Sequence, residues 1–404
     1  MRSERAVVFL VGAVQFVNIL DFMMVMPLGP DFARSLGIDV ERVGVVAGAY
    51  TVAAGVSGLA MSQVLDRFDR RPALAVCMCG LALGTALGGL AWNLPSLVAS
   101  RVVAGAFGGP ATSLALAIVA DVVPVERRGR AMAAVMGAFS VASVLGVPTG
   151  LYVAQWAGWR APFFAVAAAG LAITAGVFAL LPAMTGHLAS RAAHPPVMNL
   201  LRRKEAVLSL LTTACMTFSG FLLIPNLSAF IQFNMGWPRD DLGELYMLGG
   251  ALSFGALRVF GRLIDRFGPV VLSIAGAVAF SFVAIAWMVV VPPPVSVLVL
   301  FPCMMVAMSA RNIAYQTLLS RVPPPAYRAA FQSLNGATQH MSSAAAAFIG
   351  AAILTSNTDG SLIGVPWLAS YSLALTAVVP VLVYLANRHV LTRAHAERIV
   401  PEVG

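Results

Sequence analysis

Ser62-Gln-Val-Leu-Asp66-Arg67-Phe-Asp69-Arg70-Arg71 and, 199 residues on, Gly261-Arg-Leu-Ile-Asp265-Arg266-Phe-Gly268 are two copies of one pattern in an otherwise apolar chain. The same offset superposes Pro95 on Pro294, Pro124 on Pro323 and Gly137 on Gly336. A constant offset over four landmarks implies an internal duplication. Parallel repeats in a membrane domain are a transporter signature, because two similar halves can rock about a site held between them.

Apolar residues make up 59% of the chain and charged residues 11%, against roughly 45–50% and 25% in soluble domains. The apolar residues fall in runs long enough to cross a hydrocarbon core of about 30 Å. Twelve such runs are expected, near 6–28, 43–65, 72–91, 96–120, 131–154, 160–182, 206–231, 242–264, 270–291, 295–319, 329–354 and 364–387. The fold class read from this is an all-α polytopic membrane protein with two pseudo-symmetric six-helix bundles, at 1–182 and 206–390. A linker at 183–205 and a tail at 391–404 complete the expected organisation.

The net charge of +9 does not indicate a nucleic-acid partner, because the cations are confined to alternate connections. Arg67, Arg70, Arg71, Arg127, Arg128, Arg130, Arg202, Arg203, Lys204, Arg266, Arg321 and Arg328 lie in one set, with Arg2, Arg5, Arg388, Arg393 and Arg398 at the ends. In the other set Arg34, Arg42 and Arg239 sit among Asp31, Asp39, Glu41, Asp240 and Asp241. This is the positive-inside pattern, and it places both termini in the cytoplasm.

The first apolar run does not read as a cleaved signal, since it is long, contains Asp21 and is followed by eleven more. Cys77, Cys79, Cys215 and Cys303 all lie in spans without metal spacing and read as small packing residues. His187 and His194 in the linker lack partners at zinc-ligand spacing. No P-loop, H-E-x-x-H or G-x-S-x-G is present, so neither an enzyme nor a cofactor is expected. Small residues at helical spacing, such as Gly105/Gly108 and Ser343/Ala347, are a packing signal for helices in lipid.

The segment Asp66-Arg67-Phe-Asp69-Arg70-Arg71 resembles the G-x-x-x-D-R-x-G-R-[RK] motif between helices 2 and 3 of the major facilitator superfamily. Ser62 and Asp69 replace its two glycines, whereas the second copy keeps Gly261 and Gly268 and lacks the trailing basic pair. Arg101-Val-Val-Ala-Gly105 is similar to the family's R-x-x-x-G motif in helix 4. Gly146-Val-Pro148-Thr-Gly150 is similar to the antiporter motif in helix 5, without its adjacent Gly-Pro. Gly158-Trp159-Arg160 and Pro162-Phe163-Phe164 also look like the twelve-helix drug:proton antiporter branch.

The resemblance implies a gating set of Asp66, Arg67, Arg70, Arg71, Gly146, Pro148, Gly150, Asp265 and Arg266. In the family the motif Asp faces the N-terminus of helix 11, which here begins near Arg328, and the helix dipole favours an anion there. Asp66 would thus latch the two halves. The plainer reading is that the arginines only set topology.

Ionisable groups inside a span are costly and face a partner or a cavity. Asp21 lies about 15 residues into the first run, roughly 22 Å from its start. Arg101 lies about six residues from the other end of an oppositely directed helix, hence at similar depth. Helices 1 and 4 line the cavity in the family, so an Asp21–Arg101 pair is expected. Asp21 either carries the coupling proton or only fastens two helices; desolvation raises a carboxyl pKa and a nearby arginine lowers it. The repeat places Gly220 opposite Asp21, so the second half has no equivalent acid.

Gln15, Asn18, Asp21, Phe22 and Val25 share about 120° of helix 1. Of these, Gln15, Asn18 and Phe22 form the candidate substrate-binding set with Met24, Arg101, Asn226, Arg311, Gln339 and His340, while Asp21 and Arg101 are the candidate proton-coupling pair. His340 serves a ligand or is a packed histidine. Arg311, deep in a span, needs an anion or an acceptor. Met23, Met24, Met26, Phe22, Phe218 and Phe221 form an adaptable wall or plain packing.

The function these features imply is proton-coupled efflux of small amphipathic organic compounds or drugs by a monomer using the proton gradient. An uptake symporter or lipid flippase handling an anionic substrate, and a non-transporting sensor, are the competing readings.

Overall fold

The computed structural model describes residues 4–65, 67–185, 200–290, 293, 295–323 and 327–399. The membrane passes are α1 Glu4–Val25, α2 Val43–Leu65, α3 Arg70–Gly89, α4 Leu94–Val122, α5 Arg130–Ala157 and α6 Ala161–Leu180. They continue with α7 Lys204–Asn234, α8 at 242–267, α9 at 269–289, α10 Val297–Arg321, α11 Arg328–Ile353 and α12 Val365–Ile399.

Among the described residues ten helices are long and apolar enough to cross a membrane. One, Arg239–Val289, has 51 residues, about 76 Å of helix at 1.5 Å per residue, more than twice a bilayer core. Gly268 turns it back with φ 80 and ψ 171, and Pro269 restarts it. Only glycine adopts that conformation readily. α11 spans 26 residues but carries Gln332, Ser333, Asn335, Thr338, Gln339, His340, Ser342 and Ser343, so its polarity rather than its length separates it from the ten. With it the chain makes twelve passes. The all-α expectation is modified only by a two-residue hairpin, β1 Thr355–Ser356 with antiparallel β2 Leu362–Ile363, between α11 and α12.

Local signals set the helix starts. Asp69 caps α3 by accepting from the Arg71 backbone N–H at 2.9 Å, as short acidic side chains do at N-caps. Asn93 and Ser96 form a reciprocal capping box at the head of α4, with Pro95 in the first turn.

Helices α1 to α6 pack chiefly on one another, with α4 against α2 and α3 and α3 against α6. A Cβ at Gly105 would strike the Tyr50 carbonyl, one at Gly109 the Ala54 carbonyl, and one at Gly84 the Ala104 backbone N. Van der Waals contact between closely approached backbones is what joins helices in lipid. In the other half α7 packs on α11 and α12, and α8 and α9 pack on α10.

The halves meet along α2–α11 and α5–α8. Away from the arginine-rich face the seams are tight: Gly44 abuts Ala347 and Ala351, Gly48 abuts Phe348, and Gly243 abuts Tyr152. Toward that face they part. Gly261 lies eleven residues, three turns, beyond Gly250 on the same stripe of α8, and Gly336 lies eleven before Ala347 on α11. A Cβ at either would find nothing within 4 Å. The face opposite the arginines is also bolted, since Arg239 Nη2 and Nε donate to Asp31 at 2.6 and 2.9 Å. Ser228 Oγ donates to the Pro27 carbonyl at 2.9 Å beside it. The halves are thus fastened on that face and lack the same tight approach at Gly261 and Gly336 toward the arginines.

The cysteine expectation is corrected in part. Cys77 is buried and Cys215 half-buried, but Cys79 and Cys303 are exposed rather than packed.

Replacing Gly105 with Leu is expected to push α4 from α2 and lower stability by about 1–3 kcal/mol, the usual cost of overpacking. A fall in the melting temperature of detergent-solubilised protein checks this, with Gly336→Ala, which meets open space, as the unaffected control.

Candidate functional site

Asp21 and Arg101 are brought together in the middle of the first half. Arg101 Nη1 donates to Asp21 Oδ1 and Oδ2 at 3.1 and 3.2 Å, and Nη2 donates to Oδ1 at 3.2 Å. Thr85 Oγ1 on α3 donates to Asp21 Oδ1 at 2.7 Å. The two charged side chains are 0% and 1% exposed, so the pair lies wholly out of water. The Arg101 guanidinium is flanked by the rings of Tyr50 and Phe163, at 5.7 and 5.6 Å. Its Nε has no partner among the described residues.

One turn earlier Asn18 joins three helices. Its amide donates to the Gly108 carbonyl at 2.8 Å and to Thr112 at 2.6 Å, and it accepts from the Tyr50 hydroxyl at 2.8 Å. Gly108 permits this, because a Cβ there would meet both Tyr50 Oη and Asn18 Oδ1. Phe22 stacks on Tyr50 at 5.2 Å and on Phe221 of the second half at 5.9 Å. A chain of contacts thus runs from the ion pair to the other half. Met24 is core packing, and Gln15 is buried with Oε1 unpartnered among the described residues.

The Gly146-Val-Pro148-Thr-Gly150 stretch faces α1. Gly146 lies against Leu20 and Gly150 against Met24. A π-helical turn over Ala142–Gly146 precedes Pro148; such turns often mark functional positions in helices.

In the second half Arg311 is 3% exposed. Its Nη2 donates to Ser219 Oγ at 2.7 Å, its guanidinium lies 4.5 Å from the Phe280 ring, and its Nε is unpartnered. His340 is half-buried beside Gly55 on α2. Gln339 is exposed and lies about 100° round the helix from it. Asn226 is buried at a break in α7, where a 3-10 turn covers Ile224–Asn226, and both its amide atoms lack partners among the described residues.

Of the motif residues, Asp66 lies outside the described residues, as do His187 and His194, so the expected latch is not in view. Arg67, Asp265 and Arg266 are exposed, with Arg266 over Phe267 at 5.1 Å. Arg70 pairs with Asp121 at the end of α4, and Arg71 donates to the Phe178 carbonyl at 2.6 Å. Asp69, standing where the motif has glycine, accepts from the Met184 backbone N–H at 2.9 Å as well as capping α3. These three therefore tie α3, α4 and the end of α6 within the first half. No group of three or more His, Cys, Asp or Glu able to hold a metal is gathered among the described residues.

The sequence reading missed Thr85, Tyr50, Ser219 and the Asp31–Arg239 bridge. It also missed a buried cluster in which Thr213 and Tyr315 both donate to Asn335 Oδ1, at 2.6 and 2.9 Å. The available signal was a polar side chain recurring in apolar runs, but not which one meets which.

A sequence profile of the Major Facilitator Superfamily matches residues 11–348. The chain belongs to that superfamily. It is 31% identical over 255 residues to a chloramphenicol resistance protein of Streptomyces lividans, covering 63% of this chain and 65% of the relative. It is 28% identical over 242 residues to the inner membrane transport protein YdhP of Escherichia coli, covering 60% and 61%. The matches thus span less than two thirds of these relatives' length.

The fold agrees with a bacterial homologue of the lysosomal transporter Spinster in an inward-facing, unoccupied state, with TM-score 0.72, 15% identity and coverage of 96% and 98%. It also agrees with the nucleoside transporter NupG, with TM-score 0.73, 12% identity and coverage of 95% and 99%. Membership makes the chain a multi-pass membrane protein of a transporter superfamily.

Asp21→Asn leaves Arg101 as an uncompensated buried charge and is expected to cost about 3–5 kcal/mol. Replacing Arg101 with Met in the same protein should recover most of that loss. Melting temperatures of the two single variants and the double variant give the coupling; additive losses would show that the pair contributes nothing as a unit.

Proposed function

We propose that this protein is a secondary active transporter that exports small amphipathic organic compounds in exchange for protons. The observation that carries the reading is the water-free Asp21–Arg101–Thr85 cluster in a chain whose two halves part toward the arginine-rich face. A carboxylate with one strong partner inside an apolar helix layer is neutralised either by that arginine or by a proton. Switching between the two changes the charge of the interior by one unit, which is what coupling to a proton gradient requires.

Alternating access supplies the exposure. The arginine-rich face is assigned to the cytoplasm by the positive-inside rule, which puts both termini there and the Asp31–Arg239 bridge outside. Opening outward requires that bridge to break and the seams near Gly261 and Gly336 to close. The protein then acts as two bundles, 1–182 and 206–390, joined by 183–205, in a bacterial inner membrane, as a monomer with no cofactor beyond the gradient. The resistance protein of Streptomyces lividans supports the outward direction and an organic substrate of drug size.

Reconstituted vesicles with an imposed pH gradient test this. A panel of lipophilic cations, neutral drugs and organic anions is expected to contain a compound that collapses the gradient with wild type and not with Asp21→Asn. Equal collapse by both proteins would remove Asp21 from coupling. Absence of any response from folded protein would remove antiport.

A further inference from the structure

The chain buries two arginines in its membrane interior and treats them differently. Arg101 has the Asp21 carboxylate at 3.1 Å. Arg311, equally buried, forms no ion pair within 4.0 Å among the described residues. Its neighbours are a serine oxygen and an aromatic face. A buried guanidinium needs an anion as well as hydrogen-bond acceptors, since a lone charge is costly to desolvate. A cation–π contact and one charge-assisted hydrogen bond stabilise it without supplying a counter-charge.

The duplication shows where the missing charge belongs. The position equivalent to Asp21 is Gly220, next in sequence to the Ser219 that Arg311 binds. A Cβ at Gly220 would make ordinary contacts with Met308 Cε at 3.5 Å and Ile224 Cδ1 at 3.6 Å, so the carboxylate is absent although a side chain is not sterically forbidden there. Ser219 is itself fixed in place: its Oγ donates to the Met216 carbonyl at 2.9 Å, and Ser372 Oγ donates to the Ser219 carbonyl at 2.7 Å. Arg311 Nε is left as an idle donor beside it among the described residues.

We propose that Arg311, its guanidinium positioned by Ser219, forms an anion site in the second half that takes a small monoanionic group, a carboxylate or a halide. One guanidinium neutralises one negative charge, and its planar fork suits a carboxylate. The site is separate from the Asp21–Arg101 cluster. It does not depend on the direction or coupling of transport, and its test reads binding alone.

The test is thermal unfolding of purified protein in detergent at fixed ionic strength, titrated with sodium benzoate, its neutral counterpart benzamide, and sodium chloride. Wild type is expected to gain about 3 °C or more, saturably, from benzoate and nothing from benzamide. If chloride produces the gain and blocks that of benzoate, the resident anion is a halide; if only benzoate does, it is an organic carboxylate. Arg311→Lys keeps the charge but loses the fork, and should weaken the anion at least tenfold. Ser219→Asp supplies a carboxylate beside Arg311 and should abolish the response. Absence of a saturable gain in wild type overturns the proposal. So does a gain that persists unchanged in both variants, since the anion would then bind elsewhere.

Discussion

A charge inside hydrocarbon must be neutralised where it lies, and this constraint organises the first half of the protein. Asp21 and Arg101 are each untenable alone in that layer. Together with Thr85 they join α1, α3 and α4 at one depth. The layer below is neutral, where Asn18 spends its amide on Gly108 and Thr112 and its carbonyl on Tyr50. Losing either member would leave the other charge unpaired, so the ion pair fastens three helices at one depth.

The second half meets the same constraint with other means. Thr213, Tyr315 and Asn335 link α7, α10 and α11 through neutral hydrogen bonds, while Arg311 rests on Ser219 and Phe280. Duplication therefore conserved the helix frame without conserving the chemistry. The frame depends on backbone approach at small residues, which tolerates drift elsewhere. The polar groups depend on particular partners and drift freely once a partner is lost.

The seams between the halves carry a different kind of information. Both α5 and α7 leave ideal α-geometry near mid-span, at Ala142–Gly146 and at Ile224–Asn226. Both departures occur in helices that touch the other half: α5 along α8, and α7 through Phe221 against Phe22. Such breaks free backbone groups and soften the helix where relative motion of the halves would be felt. On the arginine-rich face, by contrast, Asp69, Arg70 and Arg71 stiffen one half internally.

Hydropathy, the 199-residue offset and the alternation of basic loops were enough to establish a twelve-pass, duplicated membrane protein and its family likeness. Each of these signals is long-range and additive, and survives any single substitution. Depth along two antiparallel helices, joined to the family resemblance that sets helices 1 and 4 on one cavity, was enough to pair Asp21 with Arg101, because rise per residue is constant. Tertiary structure alone decided that Thr85 and Tyr50 complete that site, that Arg311 lies without a carboxylate among the described residues, and that Asp31 bridges to Arg239. Helical spacing gives the depth and face of a side chain. Which neighbour it meets depends on how far two helices rotate and approach, and that is set by the summed packing of small residues along their whole length.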